Sequence, residues 1–525
     1  MKIRESILIA GVIAIGLVNI LLRINLQGIA QGDHGRDLYC FLKVLEGQMP
    51  IRDFDWIYGP LMPYYYAFWY KALGVSILSV KIGESFLIFW SILSVYLLSR
   101  EVMPPVYSFL SSLYFTFSYT ATYLMVVDKR VYTPIRHTYN HIGGTLAIIL
   151  SLYLLVRFIK SEKTIYLLVA GISTAVLMGI KLNIGVAFVV AFSIYLLLMK
   201  RWKNLLAYSL LSILMAFIIY TPFIWQVNSL SRSFPYSSSQ HQHFGSIFFF
   251  TFRPFLERAS LFRTLLNLVS CTPFLSFLSL CISIIMSLKK GGSWKIFLLF
   301  FLTFLFLSHE YLLASSLQSL NYFCLPMIAI LLILPLAIMK NKARYPLLVF
   351  FVFAILYNMI DGNIRLQRRD KYFLPFPRAR IYSLNEPGWL QTVMSTTSFL
   401  QKETKKDEYI LAIPYMPFYY FLSERESATR SWSFVKMDNL SKEDDDRVIK
   451  DIEAKKVRYI LISDEAFFTG QKEMGIFGKT HEKRLWDYIN KNYKITKIFG
   501  DWGFLGDWLG RHSIAVMRRD TPFGK

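Results

Sequence analysis

Four aspartates crowd one stretch of the chain, GDHGRDLYCFLKVLEGQMPIRDFDWIYGPLMPYYY from Gly32 to Tyr66, where Asp33, Asp37, Asp53 and Asp55 are interspersed with Arg36, Lys43 and Arg52. The stretch directly follows the first hydrophobic run. Ionised groups beside a bilayer are costly unless they are solvated, paired or used. A carboxylate in such a place can take a proton from a hydroxyl, and an arginine or lysine can meet a phosphate. Tyr58, Gly59, Pro60 and Pro63 then lead the chain back to the membrane through the aromatic residues Tyr64, Tyr65 and Tyr66. Acids, cations and an aromatic-rich membrane edge together suit a site that handles a lipid phosphate and a polar acceptor, although such aromatics also form ordinary interfacial belts.

The elements that must position these groups can be read from periodicity. Leu38, Phe41, Leu42 and Leu45 recur at spacings of three and four, which predicts an amphipathic helix over 34–46 lying on the membrane surface and ended by Gly47 and Pro50. Asp33 falls at or just before the N-terminus of that helix, with Asp37 about one turn further on and on nearly the same face. Taken alone, Asp33 reads as a helix cap accepting backbone N–H bonds. Its neighbours Arg36, Lys43 and Arg52, with Asp53 and Asp55 bracketing Phe54, turn the reading towards chemistry.

Around this loop the chain reads as a polytopic α-helical membrane protein. Its 525 residues are 54% hydrophobic and 17% aromatic, the mean hydropathy is +0.40, and many apolar runs exceed about 18 residues. Spans are expected near 5–24, 76–99, 105–127, 141–159, 164–181, 184–199, 204–226, 266–288, 294–308, 313–338 and 345–360, which makes about eleven. The net charge of +23 sits largely in short clusters between these runs, which excludes nucleic acid as the expected partner. With alternating spans, the clusters Lys2/Arg4, Arg157/Lys160/Lys163, Lys200/Arg201/Lys203, Lys289/Lys290/Lys295 and Lys340/Lys342/Arg344 share one side, cytoplasmic by the positive-inside rule. The N-terminus is then cytoplasmic, and the Asp33 loop, 128–140, 227–265 and everything after about 361 are extracytoplasmic.

Two domains follow from this: 1–360 in the membrane, with a first external loop over 25–60, and 361–525, an extracytoplasmic α/β domain. The latter has strand-like runs at Tyr409–Ile413, Arg458–Ile462, Tyr493–Ile498 and Ser513–Met517, with a helical pattern at Lys483–Lys491. The acidic run 443–446 reads as a solvated helix start. Gly28 and Ala30 would suit cleavage of a signal peptide, but the length of the first apolar run and the spans that follow favour a retained helix. The four cysteines, Cys40, Cys271, Cys281 and Cys324, show no metal-ligand spacing.

The chain resembles the GT-C superfamily of polyprenyl-phosphate-dependent glycosyltransferases, in the branch of the protein O-mannosyltransferases and lipid A aminoarabinose transferases (glycosyltransferase family 39-like). The resemblance rests on the acidic motif Asp33–Asp37, the helix ending in Gly47 and Pro50, the segment Arg52-Asp53-Phe54-Asp55 and the re-entry Gly59-Pro60-Leu61. It is supported by the Gly-rich span from Ala170 to Lys181 and by Asn321-Tyr322-Phe323-Cys324-Leu325-Pro326. His34 stands where many relatives have a second acid, Asn321 where an arginine is common, and Tyr58-Gly59 where a Lys-Pro pair is found.

The resemblance implies an inverting transfer of a sugar from a polyprenyl-phosphate donor to a hydroxyl acceptor on a glycan, lipid or protein, at the extracytoplasmic side of the cell membrane. The base role then falls to Asp33, with Asp37 beside it, while Asp55 or Asp53 orients the acceptor or helps hold a divalent cation; no certain cofactor is implied. The donor would be met by Arg36, Arg52, Tyr58 and Asn321, and by cations from elsewhere: Lys129, Arg130, Arg136 and His137 in DKRVYTPIRHTYN, and Lys181 at the end of its span. Snorkelling to headgroups accounts equally well for the 128–140 cluster. A transporter or flippase of lipid-linked glycans is the alternative, and it predicts broken helices in corresponding halves.

Overall fold

The computed structural model describes residues 5–29, 32–56, 58–121, 126–127, 130–131, 139–231, 294–314, 320–339, 342, 344–367, 370–434, 442–464, 476–503 and 513–523. Helices dominate up to residue 367: α1 (Glu5–Leu21), α2 (Asp33–Leu45), α3 (Leu61–Leu73), α4 (Ile77–Arg100), α5 (Pro105–Ala121), α6 (Asn140–Ser161), α7 (Thr164–Ile180), α8 (Leu182–Leu198), α9 (Trp202–Ser231), α10 (Trp294–Ala314), α11 (Leu320–Ile338) and α12 (Arg344–Gln367). Each span expected within the described residues coincides with one of these, and the span expected at 266–288 lies outside them. Three helical stretches, Ile77–Arg100, His141–Ser161 and Trp202–Phe223, are long and apolar enough to cross a bilayer, and shorter apolar helices accompany them. Lys81 and Glu84 pair within α4 at 2.8 Å, both groups buried.

The re-entry after Pro60 forms the short helix α3, which at about 1.5 Å per residue is too short to cross the hydrocarbon core alone. It ends at Gly74, whose φ of 87° suits glycine, and Ser76 caps α4 by accepting from Ser79 N at 3.1 Å.

Beyond α12, which continues past the expected boundary at 361, two sheets form. The smaller is β1 (Leu26–Gln27), β5 (Tyr382–Ser383) and β4 (Tyr372–Phe373), in the order β1-β5-β4. The larger has the order β7-β6-β8-β10-β9, from β6 (Tyr409–Ile413), β7 (Glu426–Ser427), β8 (Tyr459–Ser463), β9 (Tyr493–Phe499) and β10 (Ile514–Arg519). β6 is parallel to β7 and β8, while β10 is antiparallel to β8 and β9, so the sheet is mixed. Helices α13 (Pro387–Glu403), α14 (Phe418–Ser423), α15 (Lys442–Ala454) and α16 (Lys483–Asn492) surround it.

The two-residue period of the strands divides the core. Leu411, Ile413, Ile460 and Ile462 point into a cluster with Val448, Ile452, Leu485 and Ile489 of α15 and α16. Ile410, Ala412, Tyr459 and Leu461 point the other way, into a cluster shared with α13, α14, α2 and the apolar helices. One core thus runs from the helical half into the sheet. Asp445, expected to be solvated, is buried and accepts from Leu485 N at 3.2 Å, because it sits over the start of α16.

Candidate active site

Helix α2 carries the first two acids. Instead of lying exposed on a membrane surface, it is buried at every residue from His34 to Val44. The cause is cover from both sides. Phe41 stacks on Tyr66 of α3 with ring centroids 4.6 Å apart. On the other face the start of α14 crosses so closely that a Cβ on Gly35 would sit 2.2 Å from Phe418 N. At the C-terminal end Lys43 pairs with Glu46 at 2.8 Å and with Glu426 of β7. The Tyr39 hydroxyl donates to Glu426 at 3.0 Å and accepts from Ser427 N at 2.9 Å.

At the N-terminal end the acids converge on one cation. Arg36 lies 3.1 Å from Asp33 Oδ1 and 2.8 Å from Asp37 Oδ1. Tyr415, from the loop between β6 and α14, donates its hydroxyl to Asp33 Oδ1 at 2.8 Å and accepts from Arg36 at 2.9 Å. The ring of Tyr415 lies against Gly32, where a Cβ would come within 2.6 Å of it. Asp37 also accepts from Tyr139 N at 3.1 Å. The guanidinium of Arg36 lies over the rings of Tyr58 and Trp56, 5.1 and 5.5 Å from their centroids.

These contacts set the charges. Burial alone would lower the pKa of Arg36, but Tyr415, Asp37 and Asp33 hold it well above its ordinary value. Burial pushes the Tyr415 hydroxyl well up, so it remains a proton donor. Burial also pushes Asp37 up from an ordinary 3.8 to about 6, against the pull of Arg36. The folded chain therefore binds a proton at Asp37 between about pH 4 and 6 where the unfolded chain does not. Stability is expected to fall as the pH rises through that window, by roughly 3 kcal/mol in all from this group. Thermal unfolding in detergent from pH 4 to 7 checks this; Asp37→Asn should remove that part of the slope, and an unchanged slope would exclude it.

Asp53 and Asp55 have different surroundings. Asp53 accepts from Met49 N at 2.7 Å and pairs with Arg52 at 2.6 Å, closing its own loop. Asp55 pairs with Arg430 at 2.9 Å, and Arg430 also donates to the carbonyls of Arg52, at 2.6 Å, and Ile51. This second acidic group thus ties the loop to the segment after β7.

Lys181 lies at the one-residue break between α7 and α8. Its Nζ is 3.4 Å from His141 Nε2, 5.3 Å from the Phe323 ring centroid and 5.9 Å from that of Tyr58. Tyr58 is held there by Gly59, whose N–H donates to Ile180 O at 3.1 Å and whose Cβ, if present, would be 2.0 Å from Gly179 O. Tyr58 therefore links Arg36 to Lys181. Lys129, Arg136 and His137 lie outside the described residues. Arg130 is described only as part of the strand β3 (Arg130–Val131), which pairs with β2 (Val126–Val127), and Asn321 only as backbone of α11.

His141, Tyr139 and Trp56 were not singled out by the sequence, because a lone aromatic at a helix start or loop carries no pattern. Tyr415 and Arg430 meet Asp33 and Asp55 from 382 and 375 positions away. Among the described residues no three His, Cys, Asp or Glu side chains are grouped as metal ligands. Between Asp33 and Asp37 the position a cation would take is filled by Arg36, so this pair does not fit a divalent ion.

The apolar helices and the C-terminal mixed sheet together resemble the fold of the membrane proteins ArnT and an archaeal oligosaccharyltransferase. ArnT from Cupriavidus metallidurans in the apo state matches with a TM-score of 0.57 at 10% identity, over 97% of each chain. The same protein bound to undecaprenyl phosphate gives 0.55, again at 10% identity and 97% of each chain. The Archaeoglobus fulgidus oligosaccharyltransferase, in complex with Zn and sulfate, gives 0.54 at 12% identity, over 95% of this chain and 73% of that one. No protein-family signature and no curated protein sequence matches the chain.

Proposed function

We propose that this chain is an integral-membrane glycosyltransferase that moves a sugar from a polyprenyl-phosphate donor to a hydroxyl acceptor on the extracytoplasmic side. The observation that carries the reading is the cluster of Asp33, Arg36 and Asp37, on the helix after the first span, with Tyr415 from the loop between β6 and α14, in a fold shared with an ArnT that binds undecaprenyl phosphate.

The acceptor oxygen attacks the anomeric carbon as the bond from that carbon to the phosphate oxygen breaks. Inversion follows from attack opposite the departing group. The phosphate leaves with the electron pair, and the acceptor proton passes to Asp33. The hydrogen bond from Tyr415 to Asp33 Oδ1 fixes the direction of the carboxylate that takes the proton. Positive charge for the leaving phosphate comes from Lys181, with His141 beside it, and from Arg36 across Tyr58. Asp55 and Asp53 shape the loop over which the acceptor approaches.

The pairing of β1 with β5 supports the sidedness. The ends of α1 and α12 both feed one small sheet, so an even number of crossings separates them, in keeping with eleven spans. The test is to incubate the purified protein with a polyprenyl-phosphate sugar and a hydroxyl acceptor, and to measure released polyprenyl phosphate. Release that requires both partners is expected; none with any donor tried would remove the reading.

A further inference from the structure

The small sheet β1-β5-β4 joins two distant parts of the chain, and both enter it directly from a helix of the membrane half. Leu26 comes five positions after Leu21, the last residue of α1, through a tight turn in which Leu26 N donates to Arg23 O at 3.0 Å. Tyr372 likewise comes five positions after Gln367, the last residue of α12. Five residues span at most about 18 Å fully extended, and a turn spans much less. The sheet is therefore held close to the ends of both helices by two short tethers.

Its outward face is apolar. Leu26 is in register with Tyr382, and Tyr382 with Phe373, so these three side chains form one row on the same face. Phe373 is 49% and Tyr382 46% exposed, with ring centroids 5.5 Å apart. Val18, Leu21 and Leu22, at the end of α1 and just before β1 in the chain, are exposed as well. Lys371 and Arg380 are exposed beside the row. Outside the helices and the turn after α1, the large apolar side chains exposed among the described residues are this aromatic pair and Ile495 and Ile498 on β9. Aromatic rings with a polar neighbour are favoured in the headgroup layer, where an apolar body and a wet edge are both accommodated.

We propose that this face is a lipid-contact surface: Phe373, Tyr382 and Leu26 lie in the interfacial layer of the bilayer, and Lys371 and Arg380 reach the phosphates of lipid headgroups. The C-terminal half is thereby anchored to the membrane by its own sheet as well as by the helices on either side. This holds whether or not the chain transfers a sugar.

The test uses the full chain in nanodiscs of phosphatidylcholine and phosphatidylglycerol, with a nitroxide on Phe373→Cys and, in a separate protein, on Tyr382→Cys. Lys450→Cys, exposed on α15, gives the aqueous reference, and the labelled parent chain gives the blank. Collision of the label with oxygen, which concentrates in lipid, is compared with collision with a water-soluble nickel chelate. Both sheet labels should show an oxygen-to-nickel ratio several-fold above that of the Lys450 label. A ratio equal to the reference at either position overturns the proposal.

Discussion

Asp33→Asn is expected to lower turnover by about 10²–10⁴-fold while the protein still folds and still binds donor lipid. The substitution keeps the shape of the side chain and an oxygen for the Tyr415 hydroxyl, but it removes the charge that faces Arg36 and the capacity to hold a proton. Released polyprenyl phosphate, measured beside the melting temperature and donor affinity, separates these effects. Tyr415→Phe keeps the ring against Gly32 and removes only the hydroxyl, so it should cost turnover clearly less than Asp33→Asn does. Unchanged turnover in well-folded Asp33→Asn protein would take the base role away from this residue.

Gly35→Ala is expected to be strongly damaging for a change of one methyl group. The new Cβ would sit 2.2 Å from the nitrogen, 2.6 Å from the Cα and 2.7 Å from the Cβ of Phe418. Backbone cannot swing aside as a side chain can, so α14 must move. Overpacking of this kind costs roughly 1–3 kcal/mol. Phe418 is three residues from Tyr415, and a displacement of about 1 Å at a reacting constellation can cost on the order of 10²-fold in rate. Protease cleavage of the C-terminal half, melting temperature and turnover should all worsen together. Gly388→Ala meets nothing within 4 Å and serves as the control; equal behaviour of the two variants would show that the crossing at Gly35 does not hold the site.

How much of this was legible follows the range of each interaction. The apolar helices and the strands at Tyr409, Tyr459, Tyr493 and Ile514 were readable because their patterns are local. Helix α2 was readable as a helix, yet its burial was not, because the residues that cover it, Tyr415 to Phe421 and Glu426, lie hundreds of positions away. The strands β1, β4, β5 and β7 have two residues each and carry no period. The separation of the aspartates into two groups was visible in spacing, whereas the partners of each group were not. Arg430 reaches Asp55 across 375 positions and His141 reaches Lys181 across 40, distances at which spacing in the chain says nothing about spacing in the fold.

The bond between Ile29 N and Asn385 Oδ1, at 2.8 Å, joins residues 356 positions apart, and that between Tyr415 and Asp33 joins residues 382 apart. At a synthesis rate of about 5–20 residues per second, the N-terminal partner waits roughly 20–70 s for the other to be made. Throughout that interval the first loop is already translated while Tyr415 and Phe418, which will close one side of it, are still missing. The acidic cluster is thus among the last parts of the molecule to be completed, and a nascent chain halted anywhere before residue 415 carries Asp33 and Arg36 without the tyrosine that joins them.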